Sequence, residues 1–327
     1  MHHSLFLAME PTHHELLAQV AYLYFEKGLD QSAIARKLRV SRSSVSRLLT
    51  QARNEGIVEI RIHFPLMLAR ERADELCERF GLRDARVLRA SARQAPDAKM
   101  NIARLAARYL QESIAPGNTI ALSRGSTVQA TIEQFTPTPR RETRVVQLVG
   151  MLRVNGAEDD DANLTRQLAQ KLGGDYFNLT APLYVENLET RRALLHESSI
   201  RNVLNLARHA QLALVGIGAL DRQNSAIVRQ KLLPAAQLQI LKRGHVVGEI
   251  CSQYFDARGE IVSTELSERT MALGLDALRA IPRVIGVAVG RHKAKAILAA
   301  LRGKYINTLI TDEETAAVVL DLARNEK

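Results

Sequence analysis

The stretch Asp30-Gln-Ser-Ala-Ile-Ala-Arg-Lys-Leu-Arg-Val-Ser-Arg-Ser-Ser-Val-Ser-Arg-Leu-Leu-Thr50 decides how the N-terminal part of this chain folds. Two short helices crossing steeply need a small residue at the crossing and apolar residues at fixed offsets around it. Ala35 is the small residue; Ile34, Leu38, Val40, Val45 and Leu48 are the packing positions. Asp30 and Ser41 stand where they cap helices running from Gln31 to Leu38 and from Arg42 to about Asn54. The remaining face of the second helix carries Arg42, Ser43, Ser46, Arg47 and Thr50, fork-shaped cations and short hydroxyls suited to phosphates and base edges in a major groove. Arg39 occupies the turn position that often belongs to glycine, which predicts a non-glycine residue at positive φ with its side chain beside the DNA backbone.

Charge agrees with that reading. The chain carries 45 Lys and Arg against 35 Asp and Glu, a formal net charge of +10. The excess is uneven: between Arg36 and Asn54 lie Arg36, Lys37, Arg39, Arg42, Arg47 and Arg53, with no Asp or Glu. A helical hairpin with a solvated basic face is the plainer alternative. Packing pattern, caps and missing acids together favour a helix-turn-helix on double-stranded DNA. Its predicted contact set is Gln31, Arg36, Lys37, Arg39, Ser41, Arg42, Ser43, Ser44, Ser46, Arg47 and Thr50.

Moving outward, His14 to Lys27 has helical spacing and ends at Gly28, while residues 1–12 read as a frayed tail. Ile57-Val-Glu-Ile-Arg-Ile62 alternates as a short strand, and Pro65 marks a boundary. A charged amphipathic helix from Leu66 to Phe80 reads as a connector or subunit contact. From Arg83 onward, short β-branched runs alternate with helical segments, which implies an α/β domain on a mostly parallel sheet. Strands are expected at 85–88, 119–122, 144–149, 212–217, 246–250, 284–289 and 305–310. The expected domains are 13–64 (DNA binding), 65–82 (linker or oligomerisation helix) and 83–327 (effector binding).

The 327 residues, 46% apolar and 24% charged, exclude a disordered chain or a coiled-coil rod. The longest apolar run, Leu212 to Leu220, is too short to span a membrane. The N-terminus lacks signal-peptide character. Cys77 and Cys251 are too few and too far apart for a disulfide framework or a cysteine-based zinc site. A cytoplasmic protein without metal or cofactor is expected. Gly216-Ile-Gly218 lacks the third glycine of a dinucleotide fingerprint, and Gly290-Arg-His-Lys293 is not a phosphate-binding Walker loop.

Two features point to an anionic ligand. Leu122-Ser-Arg-Gly-Ser-Thr127 follows a strand and precedes a helical segment, so Gly125, Ser126 and Thr127 place backbone N–H groups and hydroxyls at a helix N-terminus. Arg291, His292 and Lys293 cluster in the first turn of another helix, where cations are unfavourable by about 0.3–1 kcal/mol unless an anion binds. Both also have plain readings, a turn with a cap and a set of solvated cations.

The chain resembles the SorC/DeoR-type family of sugar-responsive transcription regulators from about residue 14 to 322. The resemblance rests on the 31–49 stretch, Ser123-Arg-Gly-Ser-Thr127, Val145-Val-Gln-Leu-Val-Gly150, Ala181-Pro-Leu183, Val215-Gly-Ile-Gly218, Val247-Gly-Glu-Ile250 with Phe255-Asp256, Gly286-Val-Ala-Val-Gly290 with Lys293, and Tyr305-Ile-Asn-Thr-Leu-Ile-Thr-Asp-Glu-Glu-Thr-Ala316. It implies an N-terminal winged helix-turn-helix and a larger α/β effector domain resembling phosphosugar isomerases and deaminases. It also implies a homo-dimer or tetramer whose operator affinity follows a phosphorylated sugar or related effector. Carried over by position, Gly125, Ser126 and Thr127 hold the phosphate, Lys293 pairs with it or with a hydroxyl, and Glu249 and Asp256 accept sugar hydroxyls. Three positions depart from the family pattern: Glu249 stands for an aspartate, Val289 and Met151 for glycines. Val149 stands where some members carry a Schiff-base lysine, which argues against covalent capture. The second half is also similar to the Lsr-type branch, whose effector is a phosphorylated signalling molecule. The rival expectation is a phosphosugar isomerase or deaminase fused to a nucleic-acid-binding module.

Overall fold

The computed structural model describes residues 12–59, 66–90, 98–140, 142–152, 160–220, 239–241 and 243–325. The chain divides at Pro65–Leu66 into two compact units.

In the first unit, α1 (His13–Ala21) starts on a reciprocal cap: Thr12 Oγ1 accepts from the Glu15 amide at 3.3 Å, and Glu15 Oε2 accepts from the Thr12 amide at 2.7 Å. It continues into a π-helical turn, Tyr22–Glu26. Then come α2 (Gln31–Leu38) and α3 (Arg42–Asn54). Asp30 caps α2 through the Ala33 amide at 2.7 Å, and Ser41 caps α3 through the Ser44 amide at 3.0 Å. Val20, Leu23, Ile34, Ala35, Val45 and Leu49 form the shared core. Val40, expected to pack inside, is 37% exposed; the turn leaves it at the rim, and Leu49 lies deeper than Leu48. The strand expected at Ile57–Ile62 is not formed over Ile57–Glu59, and residues 60–62 lie outside those described.

Among the described residues the second unit has ten strands: β1 (Asp84–Leu88), β2 (Thr119–Leu122), β3 (Arg144–Gln147), β4 (Asp175–Phe177), β5 (Leu212–Gly216), β6 (Gly218–Ala219), β7 (Gly248–Ile250), β8 (Gln253–Phe255), β9 (Arg283–Val287) and β10 (Thr308–Asp312). Seven form one all-parallel sheet in the order β1-β10-β9-β5-β2-β3-β4. Alternation places successive residues in two separate cores: Leu212 and Leu214 of β5 face one, Ala213 and Val215 the other. Ile102 and Leu110 of helix Ala98–Ser113, Val128 and Ile132 of Ser126–Gln134, and Leu168 of Asp160–Leu172 fill the first core. Leu76, Ala207, Ile297 and Val319, from four other helices, fill the second. Helices therefore cover both faces, as a parallel sheet requires.

The remaining strands form a small antiparallel sheet, β6-β7-β8, so the strand expected at 246–250 lies outside the parallel sheet. Its hairpin turn is Cys251-Ser252, and a second turn, Asp256–Gly259, comes only after β8. The expected helix Leu66–Phe80 is shorter. Leu68 bridges to Leu88, and α4 (Arg70–Phe80) begins after Ala69, packing Leu76 into the second core. Arg79 bonds the Ala323 carbonyl, and Arg324 pairs with Glu75. This helix is thus an integral layer of the α/β unit.

Candidate functional site

Chain order reverses between β2 and β5: β3 and β4 continue outward on one side, β9 and β10 on the other. Open parallel sheets place ligands outside the carboxyl ends of strands at such a switch. Ser123, just past β2, ties the two sides together. Its amide donates to Leu214 O at 3.0 Å, and its Oγ accepts from the Gly216 amide at 3.1 Å.

Gly125 follows at φ 140, an orientation that a side chain would strain. It leads into the helix Ser126–Gln134, whose first turn has no side-chain cap. Ser126 is exposed and Thr127 is buried, its carbonyl accepting from the Thr131 hydroxyl at 2.7 Å. Past β9, Gly290 sits at φ 108, and its amide donates to Thr315 Oγ1 at 2.9 Å. That anchors the turn Arg291–Lys293, which leads uncapped into the helix Ala294–Arg302. Arg291 and His292 are exposed; Lys293 is half-buried.

Glu249 of β7 joins these loops. Its Oε2 accepts from the Ser252 amide at 3.0 Å. Burial pushes its carboxyl above the ordinary value, opposed by Arg124, the Ser252 amide and Lys293. Burial also lowers the Lys293 ammonium, opposed by Glu249 and reinforced by the charge of Lys99. Arg124, from the β2 turn, and Lys293, from the β9 turn, thus act on one carboxylate, with Lys99 in the first turn of the helix Ala98–Ser113 acting on Lys293. Asp312 adds a second carboxylate at the foot of the β9 turn, its Oδ2 accepting from the Gly290 amide at 3.3 Å and from the Thr315 hydroxyl at 2.6 Å.

Asp256, also expected here, does something else. Its Oδ1 accepts from the Arg258 and Glu260 amides, both at 2.9 Å. The turn it closes is held at the far end of the helix Ala294–Arg302, through Arg302 to Ala257 O at 2.8 Å. Its carboxylate serves its own turn. Residues that the sequence alone did not single out are Lys99, Arg124, Tyr184, Ser252 and Tyr254. Arg124 lay inside the quoted motif, whereas the others need the fold to bring them near Glu249.

In the first unit, α3 presents Arg42, Ser43, Ser46, Arg47 and Thr50 on one exposed face, opposite buried Val45, Leu49 and Ala52. Arg36, Lys37, Arg39 and Ser41 are exposed beside them, and Gln31 and Ser44 are half-buried. Arg39 has φ 55 and ψ 40, the left-handed cap its position predicted. Two groups are locally engaged: the Thr50 hydroxyl donates to Ser46 O at 3.1 Å, and Arg53 stacks 5.7 Å from the Phe25 ring centre. Among the described residues no cluster of His, Cys, Asp and Glu fits a metal, and no helix is long and apolar enough to cross a membrane.

A helix-turn-helix unit joined to a parallel α/β unit is the architecture of the SorC/DeoR-type regulators. The family described as "Putative sugar-binding domain" matches residues 65–321, and the chain belongs to it. It is 33% identical to the transcriptional regulator LsrR of Enterobacter sp. (strain 638), over 98% of this chain and 97% of that one. It is 30% identical to the deoxyribonucleoside regulator of Bacillus subtilis (strain 168), over 96% and 100%. The full-length sorbitol operon regulator SorC of Klebsiella pneumoniae superposes with a TM-score of 0.71 at 28% identity, covering 93% of this chain and 98% of that one.

Proposed function

We propose that this chain is a DNA-binding transcription regulator of a carbohydrate operon, its operator affinity controlled by a phosphorylated sugar or a similar phosphorylated effector. The observation that carries the effector half is the shared carboxylate. Glu249 is influenced by both Arg124 beside the Gly125–Thr127 turn and Lys293 of the opposite turn, which supports reading the two anion-binding features of the sequence as parts of one site. Uncapped amides of the helix Ser126–Gln134, with Gly125, Ser126 and Thr127, receive the phosphate, and Lys293 neutralises it. Glu249 accepts a hydroxyl of the sugar. The DNA half rests on the exposed face of α3 and on relatives named as transcriptional regulators. Such a regulator acts in the cytoplasm and needs at least a dimer to meet two half-sites.

Control requires the effector to bind the DNA-competent and incompetent states with unequal affinity. The test is operator binding by the full chain, followed by fluorescence anisotropy with and without a panel of sugar phosphates. The expected result is a shift in operator affinity with at least one member, abolished in Lys293→Met. No shift with any member, or an unaltered shift in Lys293→Met, overturns the assignment. Conversion of a sugar phosphate at enzyme-like rates would favour the isomerase or deaminase reading, in which Glu249 is the acid–base group.

A further inference from the structure

Beside Glu249 lies a group of hydroxyls to which the anion-binding reading gives no task. Tyr254 stands directly across the small sheet from Glu249, on β8, and is fully buried. Ser252, in the hairpin turn, is 1% exposed. Tyr184 packs against Tyr254 and is half-buried. The Tyr184 hydroxyl comes within interaction range of both the Tyr254 and the Ser252 hydroxyl. Yet neither Ser252 Oγ nor the Tyr254 hydroxyl has a well-formed hydrogen bond to any described residue. Buried polar groups left without partners weaken a fold, and natural proteins carry few of them.

The turn that presents them is itself costly. Cys251 and Ser252 have φ of 54 and 57, a left-handed pair that normally selects Asn-Gly or Gly-Gly. Strain and unsatisfied polar groups at one spot, beside a charged rim, point to a site whose partners arrive with a ligand. Hydroxyls both donate and accept, which matches the alternating demands of a polyol, and tyrosine faces pack on sugar C–H groups.

We propose that Tyr184, Ser252 and Tyr254 form the wall of the effector site that recognises the hydroxyls of its ligand and so sets which sugar phosphate is preferred. This rests on the anion-binding reading of the same rim. Tyr184 meets the ligand first, and Ser252 and Tyr254 gain partners as the strained turn yields.

Calorimetric titration of the full chain separates this wall from the phosphate cradle. The probes are inorganic phosphate, ribose 5-phosphate, glucose 6-phosphate and fructose 6-phosphate. The wild type is expected to bind at least one sugar phosphate ten-fold or more tighter than inorganic phosphate. Tyr184→Phe and Tyr254→Phe should each remove at least five-fold of that preference and leave inorganic phosphate binding unchanged. In the ligand-free chain, Tyr254→Phe and Ser252→Gly should raise the unfolding midpoint, one deleting an unpartnered hydroxyl, the other relaxing the turn. A lowered midpoint in Tyr254→Phe overturns the proposal, because its hydroxyl is then already satisfied. Unchanged sugar preference in both tyrosine variants overturns it as well. Inorganic phosphate bound through Lys293, with no sugar phosphate bound more tightly, overturns the wall and spares the cradle. No binding of any probe overturns both.

Discussion

The Glu249 carboxylate lies against the α-carbon of Gly218, its cross-strand partner in the small sheet. A Cβ at position 218 would collide with Glu249 Oε1 and lie 2.9 Å from both Cδ and Cγ. Gly218 therefore holds open the place that the carboxylate occupies. Gly218→Ala should displace the Glu249 side chain and break its bond from the Ser252 amide. Bonds of that charge-assisted kind are worth about 1.5–3 kcal/mol, less whatever the displaced carboxylate regains elsewhere. The expected outcome is a small loss of stability by urea titration, with a larger loss of sugar phosphate affinity. Affinity equal to wild type would mean that the carboxylate has no part in the ligand.

The pH dependence of stability follows from the same group. Burial raises the Glu249 carboxyl above 4.5, so the folded chain holds that proton more tightly than the unfolded chain. The stability this contributes is fully present below the unfolded value and is lost as pH rises through the folded one. Lys293, lowered from 10.5, works oppositely: its penalty fades as pH rises from the folded value towards the unfolded one. Glu249→Gln keeps an acceptor for Ser252 and deletes the titration. Its stability relative to the parent should improve as pH rises above the ordinary carboxylate range. Removing the carboxylate also removes what holds the Lys293 proton, so phosphate binding in this variant should fail at a lower alkaline pH. Denaturant titrations across the acid range and phosphate titrations across the alkaline range check the two halves.

The elements legible in the sequence were those with strong local signals. Helix α3 and strand β2 occur where the sequence places them, because the one carries its own cap and the other is wholly apolar apart from Thr119. Strands β4, β6 and β8, two or three residues each, carry no local pattern and exist only by pairing with neighbours. The same division holds at the rim. Gly125 and Lys293 stand out in the sequence because glycine between a strand and a helix marks a positive-φ turn and a cation in a helix's first turn is electrostatically unfavourable. Tyr184, Ser252 and Tyr254 look like ordinary strand or turn residues until the small sheet folds beside β5. Asp256, which the resemblance places at the ligand, closes its own turn through Oδ1, and an aspartate in that role looks the same in sequence as one facing a ligand.

Arg39 links the fold of the first unit to its proposed task. Its left-handed cap, φ 55 and ψ 40, is a conformation glycine adopts without strain. Arg39→Gly should therefore raise the stability of this unit by about 0.5–1 kcal/mol. It should also weaken DNA binding, since the exposed guanidinium beside the turn is lost. A higher melting temperature with lower DNA affinity marks a residue retained for its charge. A fall in both would instead assign Arg39 a structural contact in the folded unit.

Arg47 and Lys37 separate sequence reading from simple attraction. Both are exposed, but Arg47 lies on the outer face of α3 with Arg42, Ser43 and Ser46, while Lys37 lies in the last turn of α2. In a docked helix-turn-helix the second helix enters the major groove and the first crosses the backbone. Arg47→Ala should cost about 1–3 kcal/mol on the operator, with little change on unrelated DNA, because a guanidinium fork to guanine is lost. Lys37→Ala should weaken all sequences nearly equally and reduce the slope of log affinity against log salt by about 1. Anisotropy titrations at several salt concentrations, on operator and scrambled DNA, measure both effects. If the two substitutions act alike on both DNAs, the outer face of α3 is not the surface that reads bases.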